Sequence, residues 1–146
     1  MARILVSACL LGVDCKYSGG NNLCPWVEAL KDRHQLIPVC PEQLGGLPTP
    51  RTPAEIQGNR VVSRTGQDVT AQYQRGAREA LALAEQFGCE YAILKANSPS
   101  CGIGQVYDGT FSGTLVPGDG ITARLLREAG LRLLSESDGQ NTPDFA

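Results

Sequence analysis

Three loops that carry cysteines follow three short apolar segments of this chain, and this feature constrains its fold more than any other. The segments are residues 3–8, 35–39 and 91–94, and each has the length and apolar content of a buried strand. Cys9 and Cys40 come directly after the first two segments, and Cys101 lies in the loop after the third. The cysteines therefore stand where three predicted strands end.

Helical patterns alternate with these predicted strands. We predict helices over residues 25–31, 69–87 and 121–129, a fourth strand over 131–134 and a small hairpin over 55–63. Strands that alternate with helices form right-handed crossovers, which build a parallel sheet covered on both faces. The predicted fold class is α/β, a Rossmann-like open, mainly parallel sheet with helices on both faces and a hairpin appendage. Because strand ends meet at one edge of such a sheet, we expect Cys9, Cys40 and Cys101 to lie close together.

The length of the chain predicts one folded unit. Its 146 residues, of which 42% are hydrophobic, suffice for one sizeable core. We predict a single domain over residues 1–136 and a polar, flexible tail over residues 137–146 that begins to fray at Glu136. Prolines and glycines crowd residues 40–53, so we expect a long, stiff loop there.

Charge and hydropathy exclude several classes of protein. The net charge of −2 gives no strong positive field for gripping nucleic acid, although tRNA is not excluded as a partner. The apolar run near the N-terminus is interrupted by Ser7 and Gly12 and is much shorter than the roughly 20 residues of a membrane span. We therefore expect no membrane association and a cytoplasmic location, where thiols stay reduced and six cysteines need a role other than disulfides.

The spacing of the cysteines favours an iron–sulfur cluster over structural zinc. The chain has no C-x-x-C pair, and we expect its only histidine, His34, to be a solvated loop residue. Thiolates from separate loops suit an iron–sulfur cluster, and three protein ligands on a four-iron cluster leave one iron open to substrate. The competing interpretation is that free cysteines pack as small hydrophobic residues, which we favour for Cys24 and Cys89.

Longer motifs around these cysteines resemble the thiouracil desulfidase (TudS) family. They are SACLLGVDCKYSG from Ser7, VCPE with GGLPTPR from Val39, LKANSPSCG from Leu94 and DGTFSG from Asp108. The resemblance covers roughly residues 3 to 136. It implies an enzyme that removes sulfur from a small thiolated uracil, such as thiouracil or 4-thiouridine monophosphate, by redox-neutral, hydrolytic cleavage of the C–S bond. The sulfur would leave as hydrosulfide.

The resemblance also implies a cofactor and two catalytic residues. The cofactor is a [4Fe-4S] cluster held by three cysteines, so we expect the cluster assembly machinery as a partner. The family's catalytic glutamate and serine correspond to Glu42, in Cys-Pro-Glu, and to Ser98, in Ser-Pro-Ser-Cys. Glu42 would activate a water molecule as general base, and Ser98 would position that water or relay its proton.

Four cysteines in the matching motifs are candidate cluster ligands, namely Cys9, Cys15, Cys40 and Cys101. The position of the strand ends favours Cys9, Cys40 and Cys101. The short loop between Cys9 and Cys15 could equally deliver two ligands and leave Cys40 beside the cluster.

Charged and aromatic residues in the same motifs are candidates for binding the substrate. Lys16, Tyr17 and Arg51 are our candidates, because Lys and Arg commonly bind phosphate and Tyr can stack on a base. Lys95 has similar standing.

Two other functions use the same cysteines. An iron–sulfur enzyme that inserts sulfur into a nucleotide or tRNA would need substrate activation, usually by ATP, and the chain has no G-x-x-x-x-G-K-[ST] loop. A non-enzymatic cluster sensor would not depend on Glu42 or Ser98. These remain our alternatives to the desulfidase.

Overall fold

A computed structural model describes residues 1–139 of the chain. The strands are β1 (Arg3–Ser7), β2 (Gln35–Val39), β3 (Ala54–Gln57), β4 (Arg60–Ser63), β5 (Tyr91–Leu94), β6 (Gln105–Tyr107), β7 (Leu115–Pro117) and β8 (Arg132–Ser135). The α-helices are α1 (Pro25–Glu28), α2 (Pro41–Leu44), α3 (Thr70–Gln86) and α4 (Ile121–Glu128). Short 3-10 helices follow β1 at Ala8–Leu11, α1 at Ala29–Asp32 and β8 at Glu136–Asp138.

Four strands form the central sheet, in the order β2-β1-β5-β8. All three pairings are parallel, and Val6 of β1 lies opposite Pro38 of β2 and Ile93 of β5. The two central strands, β1 and β5, are buried along nearly their whole length, as strands covered on both faces must be. The predicted α/β fold with a parallel sheet is therefore confirmed.

Successive residues of β1 point to opposite faces of the sheet and enter two different cores. Ile4 and Val6 pack on one side with Val27 of α1. Leu5 packs on the other side, where α3 and α4 contribute alanines and Leu126. The small residues on the inner face of α3 recur at steps of three and four, which lets the helix lie close to the sheet.

Two hairpins lie outside the central sheet. The predicted hairpin is confirmed as β3 and β4, joined by a two-residue turn at Gly58 and Asn59. A second hairpin, β6 with β7, was not predicted. Its strands have only three residues each and β7 is exposed throughout, so no buried alternation marks it in the sequence.

The structure corrects the predicted loop over residues 40–53. Its first residues after Cys40 form α2, which begins at Pro41. Proline is well suited to the first turn of a helix, because the N–H that it lacks has no partner there. The prediction treated every proline in this segment as a helix breaker and so missed the helix that carries Glu42.

The predicted fraying from Glu136 is also wrong for the first residues of that segment. They form a 3-10 helix in which Ser135 and Asp138 make reciprocal capping hydrogen bonds. The rest of the predicted tail, from residue 140, lies outside the described residues. Within residues 1–139, no helix is long and apolar enough to cross a membrane.

Candidate active site

A cavity of about 480 Å³ opens at the carboxyl ends of β1, β2 and β5. All of the residues singled out from the motifs line it. They are Cys9, Cys15, Lys16, Tyr17, Cys40, Glu42, Arg51, Lys95, Ser98 and Cys101. The parallel sheet thus brings together residues that are up to 92 positions apart, as the strand-end argument predicts.

Three thiols form a contact cluster in this cavity. The thiol of Cys15 is within hydrogen-bonding reach of both Cys9 and Cys40. Hydrogen bonding from Cys15 is the main reason why the pKa of Cys9 falls to about 7 and that of Cys40 to about 6. The same contacts raise the pKa of Cys15. Cys9 and Cys40 are therefore the thiols that ionise most readily, with Cys15 as the protonated donor between them.

Polar groups of the chain also point at the two ionisable sulfurs. The side-chain amide of Asn22 donates to Cys9 Sγ at 3.5 Å, and a guanidinium nitrogen of Arg51 lies 4.0 Å from Cys40 Sγ. Donors of this kind stabilise a thiolate, and around iron–sulfur clusters they tune the reduction potential.

Cys101 differs from the other three cavity cysteines. It is 4% exposed, and burial raises its pKa to about 12. Its thiol lies 3.8 Å from the hydroxyl oxygen of Ser100, which in turn bonds to Thr122 at 2.8 Å. Cys101 is therefore a buried, protonated thiol until a metal displaces its proton.

The other two cysteines and the histidine, which we did not assign to the site, lie away from the cavity. Cys24 precedes α1 and packs beside one core, whereas Cys89 is buried in the other core at the start of β5. All six cysteines are free thiols. His34 does not line the cavity, and its Nδ1 accepts a hydrogen bond from the backbone N–H of Ala2 at 3.0 Å.

The donor set fits an iron–sulfur cluster better than a single metal ion. Within residues 1–139, no group of three or more His, Cys, Asp or Glu side chains is arranged to hold one ion. Four thiols nevertheless line one cavity, with a cation and an amide directed at two of them. Soft thiolates delivered by separate loops are the ligands that a multi-iron cluster requires.

Glu42 lies in the first turn of α2, and two donors hold its carboxylate. Arg51 Nε donates to Oε1 at 3.1 Å, and the hydroxyl of Tyr73 donates to the same oxygen at 2.8 Å. The Glu42 side chain is 18% exposed and that of Arg51 only 6%. The carboxylate is therefore fixed in a cavity wall, with one oxygen already occupied.

Arg51 uses all of its donors within the protein. Besides Glu42 and Cys40, it donates to the carbonyl of Cys15 at 2.8 Å, to that of Pro48 at 3.2 Å and to Thr49 Oγ1 at 2.8 Å. A guanidinium has five N–H donors, and each has an acceptor here. These hydrogen bonds give Arg51 a part in shaping the site, and its contact with substrate stays a prediction.

Ser98 shapes the turn that carries Cys101. Its Oγ accepts hydrogen bonds from the backbone N–H groups of Ser100 and Cys101, each at 3.0 Å. Because the oxygen already accepts twice, the hydroxyl hydrogen is the part of the group available to another partner. Ser98 thus combines a turn-forming role with a place in the cavity lining.

An ion pair supports the neighbouring part of the same loop. Lys95 Nζ lies 3.0 Å from Glu136 Oε2 and donates to the Ala96 carbonyl at 3.1 Å. The other oxygen of Glu136 accepts from the Ala96 backbone N–H at 2.7 Å. The C-terminal 3-10 helix therefore holds the loop between β5 and Ser98 in place.

Several cavity residues were missed by the sequence analysis. Tyr73 has the spacing of an ordinary core position of α3, and Asn22 lies between recognised motifs. On the far wall, the buried Glu55 accepts from the backbone N–H groups of Gly109 and Phe111 at 3.0 and 3.1 Å. The guanidinium of Arg64 lies 5.6 Å from the centre of the Phe111 ring. No local pattern marks these residues, since each acts through a partner far away in sequence.

Comparisons with known proteins agree with this arrangement. A family model described as 2-thiouracil desulfurase matches residues 4–138. YbbK of Bacillus subtilis (strain 168), an uncharacterized protein, is 44% identical over 145 residues, which cover 92% of this chain and 96% of YbbK. A solved structure of TudS, a [4Fe-4S]-dependent thiouracil desulfidase, is 45% identical, with a TM-score of 0.91 over 97% of this chain and 95% of that one.

Proposed function

The chain belongs to the 2-thiouracil desulfurase family, and from this we propose that it is an iron–sulfur-dependent desulfidase that hydrolyses the C–S bond of a thiolated uracil. One observation carries the proposal: four thiols, a fixed carboxylate and a serine hydroxyl line the same cavity at the end of the sheet. The similar TudS structure supports it, because that protein is a [4Fe-4S]-dependent thiouracil desulfidase.

We take Cys9, Cys40 and Cys101 as the three ligands of the cluster. Each follows a different strand, whereas Cys15 is in hydrogen-bonding reach of two of them and so is too close to bind a separate iron beside both. When bound, a [4Fe-4S] cluster with three protein ligands supplies one iron that acts as a soft Lewis acid toward sulfur. Asn22 and Arg51 would stabilise the Cys9 and Cys40 thiolates.

Glu42 would be the general base of the reaction. Its free oxygen would accept a proton from a water molecule as that water attacks the thiocarbonyl carbon. The water oxygen forms the new C–O bond and becomes the carbonyl oxygen, its second proton goes to the sulfur, the C–S bond breaks, and the sulfur leaves as hydrosulfide. No electron is gained or lost, so the reaction needs no nicotinamide or flavin. A positioned general base typically accelerates such a step by about 10²- to 10⁴-fold.

Ser98 would hold the attacking water or relay its proton. Its Oγ already accepts two backbone hydrogen bonds, so its O–H is left to donate toward the water or the departing sulfur.

The cavity suits a small substrate. Its volume of about 480 Å³ is within the roughly 300–1,000 Å³ of typical ligand sites. Lys16 and the half-exposed Tyr17 remain our candidates for contacts with a phosphate and a base. We therefore propose thiouracil or 4-thiouridine monophosphate as the substrate class.

The proposed site also sets conditions in the cell. Its thiols must stay reduced, which favours the cytoplasm, and the cluster must be supplied by assembly machinery. A tRNA carrying thiouridine would be a substrate only if its base could be turned out into the cavity.

Sulfide release tests the proposal directly. Iron-loaded protein, kept anaerobic, should release sulfide from 2-thiouracil or 4-thiouridine monophosphate without ATP. Glu42→Gln and Ser98→Ala should each lower the rate while the iron content is unchanged, and the loss for Glu42→Gln should be about 10²- to 10⁴-fold. Glu28→Gln, at a partly exposed position of α1 where the residue pairs with Lys31, is the matched control and should keep the wild-type rate.

Two results would overturn this function. Loaded protein that releases no sulfide from either substrate would point to a cluster sensor. Activity that appears only with ATP and ends in thiolation would point to sulfur insertion.

A further inference from the structure

The two oxygens of the Glu42 carboxylate are in different environments. Both of its hydrogen bonds, from Arg51 and Tyr73, end on Oε1. No residue between 1 and 139 donates to Oε2, and no side-chain oxygen or nitrogen in that range is buried without a partner. Since Glu42 lines the cavity, Oε2 is the oxygen that is open to a ligand or water.

The Tyr73 hydroxyl is held on Oε1 by close packing of two helices. Gly45 follows α2, and a Cβ there would collide with the carbonyl oxygen of Gln72 in α3. Gly76 lies in α3, and a Cβ there would collide with the carbonyl oxygen of Pro41. The backbones of α2 and α3 therefore meet directly, with Tyr73 and Glu42 on the facing surfaces.

The Tyr73 hydroxyl is buried and serves as a hydrogen-bond donor to Glu42. The residue is 2% exposed, and Glu42 is the acceptor of its O–H. Burial, and then the charge of Glu42, raise the pKa of the phenol. The hydroxyl thus stays protonated and remains a hydrogen-bond donor.

We propose that Tyr73 is a positioning residue for Glu42: packed on α3, it holds Oε1 so that Oε2 alone is presented to the reacting water. The proposal rests on the proposed role of Glu42 as general base. Arg51 holds the same oxygen from the other side, so Tyr73 and Arg51 together fix the plane of the carboxylate. Without the tyrosine hydroxyl, the carboxylate can rotate about the Cγ–Cδ bond of Glu42. The water then meets Oε1, or meets Oε2 at an unproductive angle.

Tyr73→Phe keeps the ring and removes only the donor. In iron-loaded protein, we expect kcat for sulfide release to fall by about 10- to 100-fold, the range associated with loss of a hydrogen bond to a charged group. KM and iron content should be unchanged, because the ring and the cysteines remain. Tyr91 is a buried tyrosine at the start of β5, whereas the cavity lies at the carboxyl end of that strand. Tyr91→Phe is the matched control and should leave kcat unchanged.

A double-mutant cycle with Glu42→Gln separates positioning from general packing. If Tyr73 acts through the carboxylate, Tyr73→Phe should lower the residual single-turnover rate of the Glu42→Gln protein by less than about twofold. A similar loss in both backgrounds, or a wild-type kcat for Tyr73→Phe beside an impaired Glu42→Gln, would overturn this inference alone. Full activity of Glu42→Gln would instead overturn the proposed general base.

Discussion

At the residue scale, the cysteines of this chain differ in their environments. Cys40 is half-buried and polarised by Cys15 and Arg51, whereas Cys101 is almost fully buried in the cavity wall, beside the hydroxyl group of Ser100. Cys24 is half-buried outside the cavity. These environments decide which thiols ionise, and thiolates are the form that reacts with electrophiles and binds metals.

Alkylation of iron-free protein should follow these environments. With its pKa lowered to about 6, the Cys40 thiol is mostly ionised at pH 7, whereas that of Cys101, raised to about 12, is not. A brief iodoacetamide pulse at pH 7 should label Cys40 well before Cys101, and labelling of Cys40 should fall roughly tenfold at pH 5 as the thiol takes up its proton. Peptide mass spectrometry gives both rates, with Cys24 as the reference for exposure.

Iron loading provides the control for the same experiment. A ligand thiolate bound to the cluster should no longer react, so Cys40 should be protected. Equal labelling of Cys40 with and without iron would remove it from the ligand set.

At the scale of elements, the position of the candidate base depends on one helix contact. The four-residue helix α2 has no side-chain cap, and a helix this short is not stable by itself. It lies against the 17-residue α3, where Gly45 and Gly76 let the two backbones touch. Glycine is costly inside a helix, so Gly76 is explained by this contact and not by helix propensity.

Gly76→Ala should destabilise the protein although alanine favours helix. The added Cβ would overlap the backbone carbonyl oxygen of Pro41 and forces α2 and α3 apart. Because this is a clash with backbone, we expect an overpacking cost of about 3 kcal/mol, the upper end of the usual range of about 1–3 kcal/mol, which exceeds the roughly 1 kcal/mol gained in helix propensity. Urea unfolding measures the change. The control is Gly20→Ala, whose Cβ would approach the ends of two side chains, Lys16 at 3.4 Å and Ser18 at 3.8 Å, and no backbone atom. A Gly76→Ala protein as stable as wild type would show that the helices can separate without cost.

At the scale of the whole molecule, the segment after β8 holds in place a loop that lines the cavity. Glu136 binds Lys95 and the Ala96 amide, and its own carbonyl accepts a hydrogen bond from Trp26 Nε1 at 3.0 Å. The segment after β8 thereby ties α1 to the loop that leads to Ser98. A polar residue near the C-terminus thus supports the geometry of a loop 40 residues earlier.

Substitution of Glu136 should show how much these contacts contribute to the free energy of unfolding. Glu136→Ala leaves the Ala96 N–H without its acceptor and Lys95 without its ion-pair partner. We expect a loss of about 1–3 kcal/mol in the free energy of unfolding. Glu136→Gln keeps an oxygen for the Ala96 N–H and should lose less than about 1 kcal/mol. Urea midpoints at constant m-value make the comparison. Equal, negligible losses in both variants would mean that the segment does not hold the loop.

Local pattern accounts for the parts of the fold that were predicted. The four sheet strands are short apolar runs, and α3 has apolar residues at helical spacing, so these elements could be inferred from the sequence alone. The short α2 and the β6–β7 hairpin lack such periodicity and exist because neighbouring elements stabilise them. The same difference separates the candidate site residues that motifs reveal, such as Glu42, from those that they do not, such as Tyr73.

The sequence by itself indicated that the cysteines of three loops would lie at one edge of a parallel sheet, because the alternation of strands with helices and the side-chain periodicity can be read locally. The family motifs, and not this pattern, singled out Glu42 and Ser98. Only the tertiary structure decided how these groups are held. Arg51 donates to Glu42 and to the Cys15 carbonyl, and Tyr73, on α3, donates to the same carboxylate. Glu136 accepts a hydrogen bond from the loop before Ser98. Each contact joins residues that no short-range pattern relates, so packing alone selects the partners.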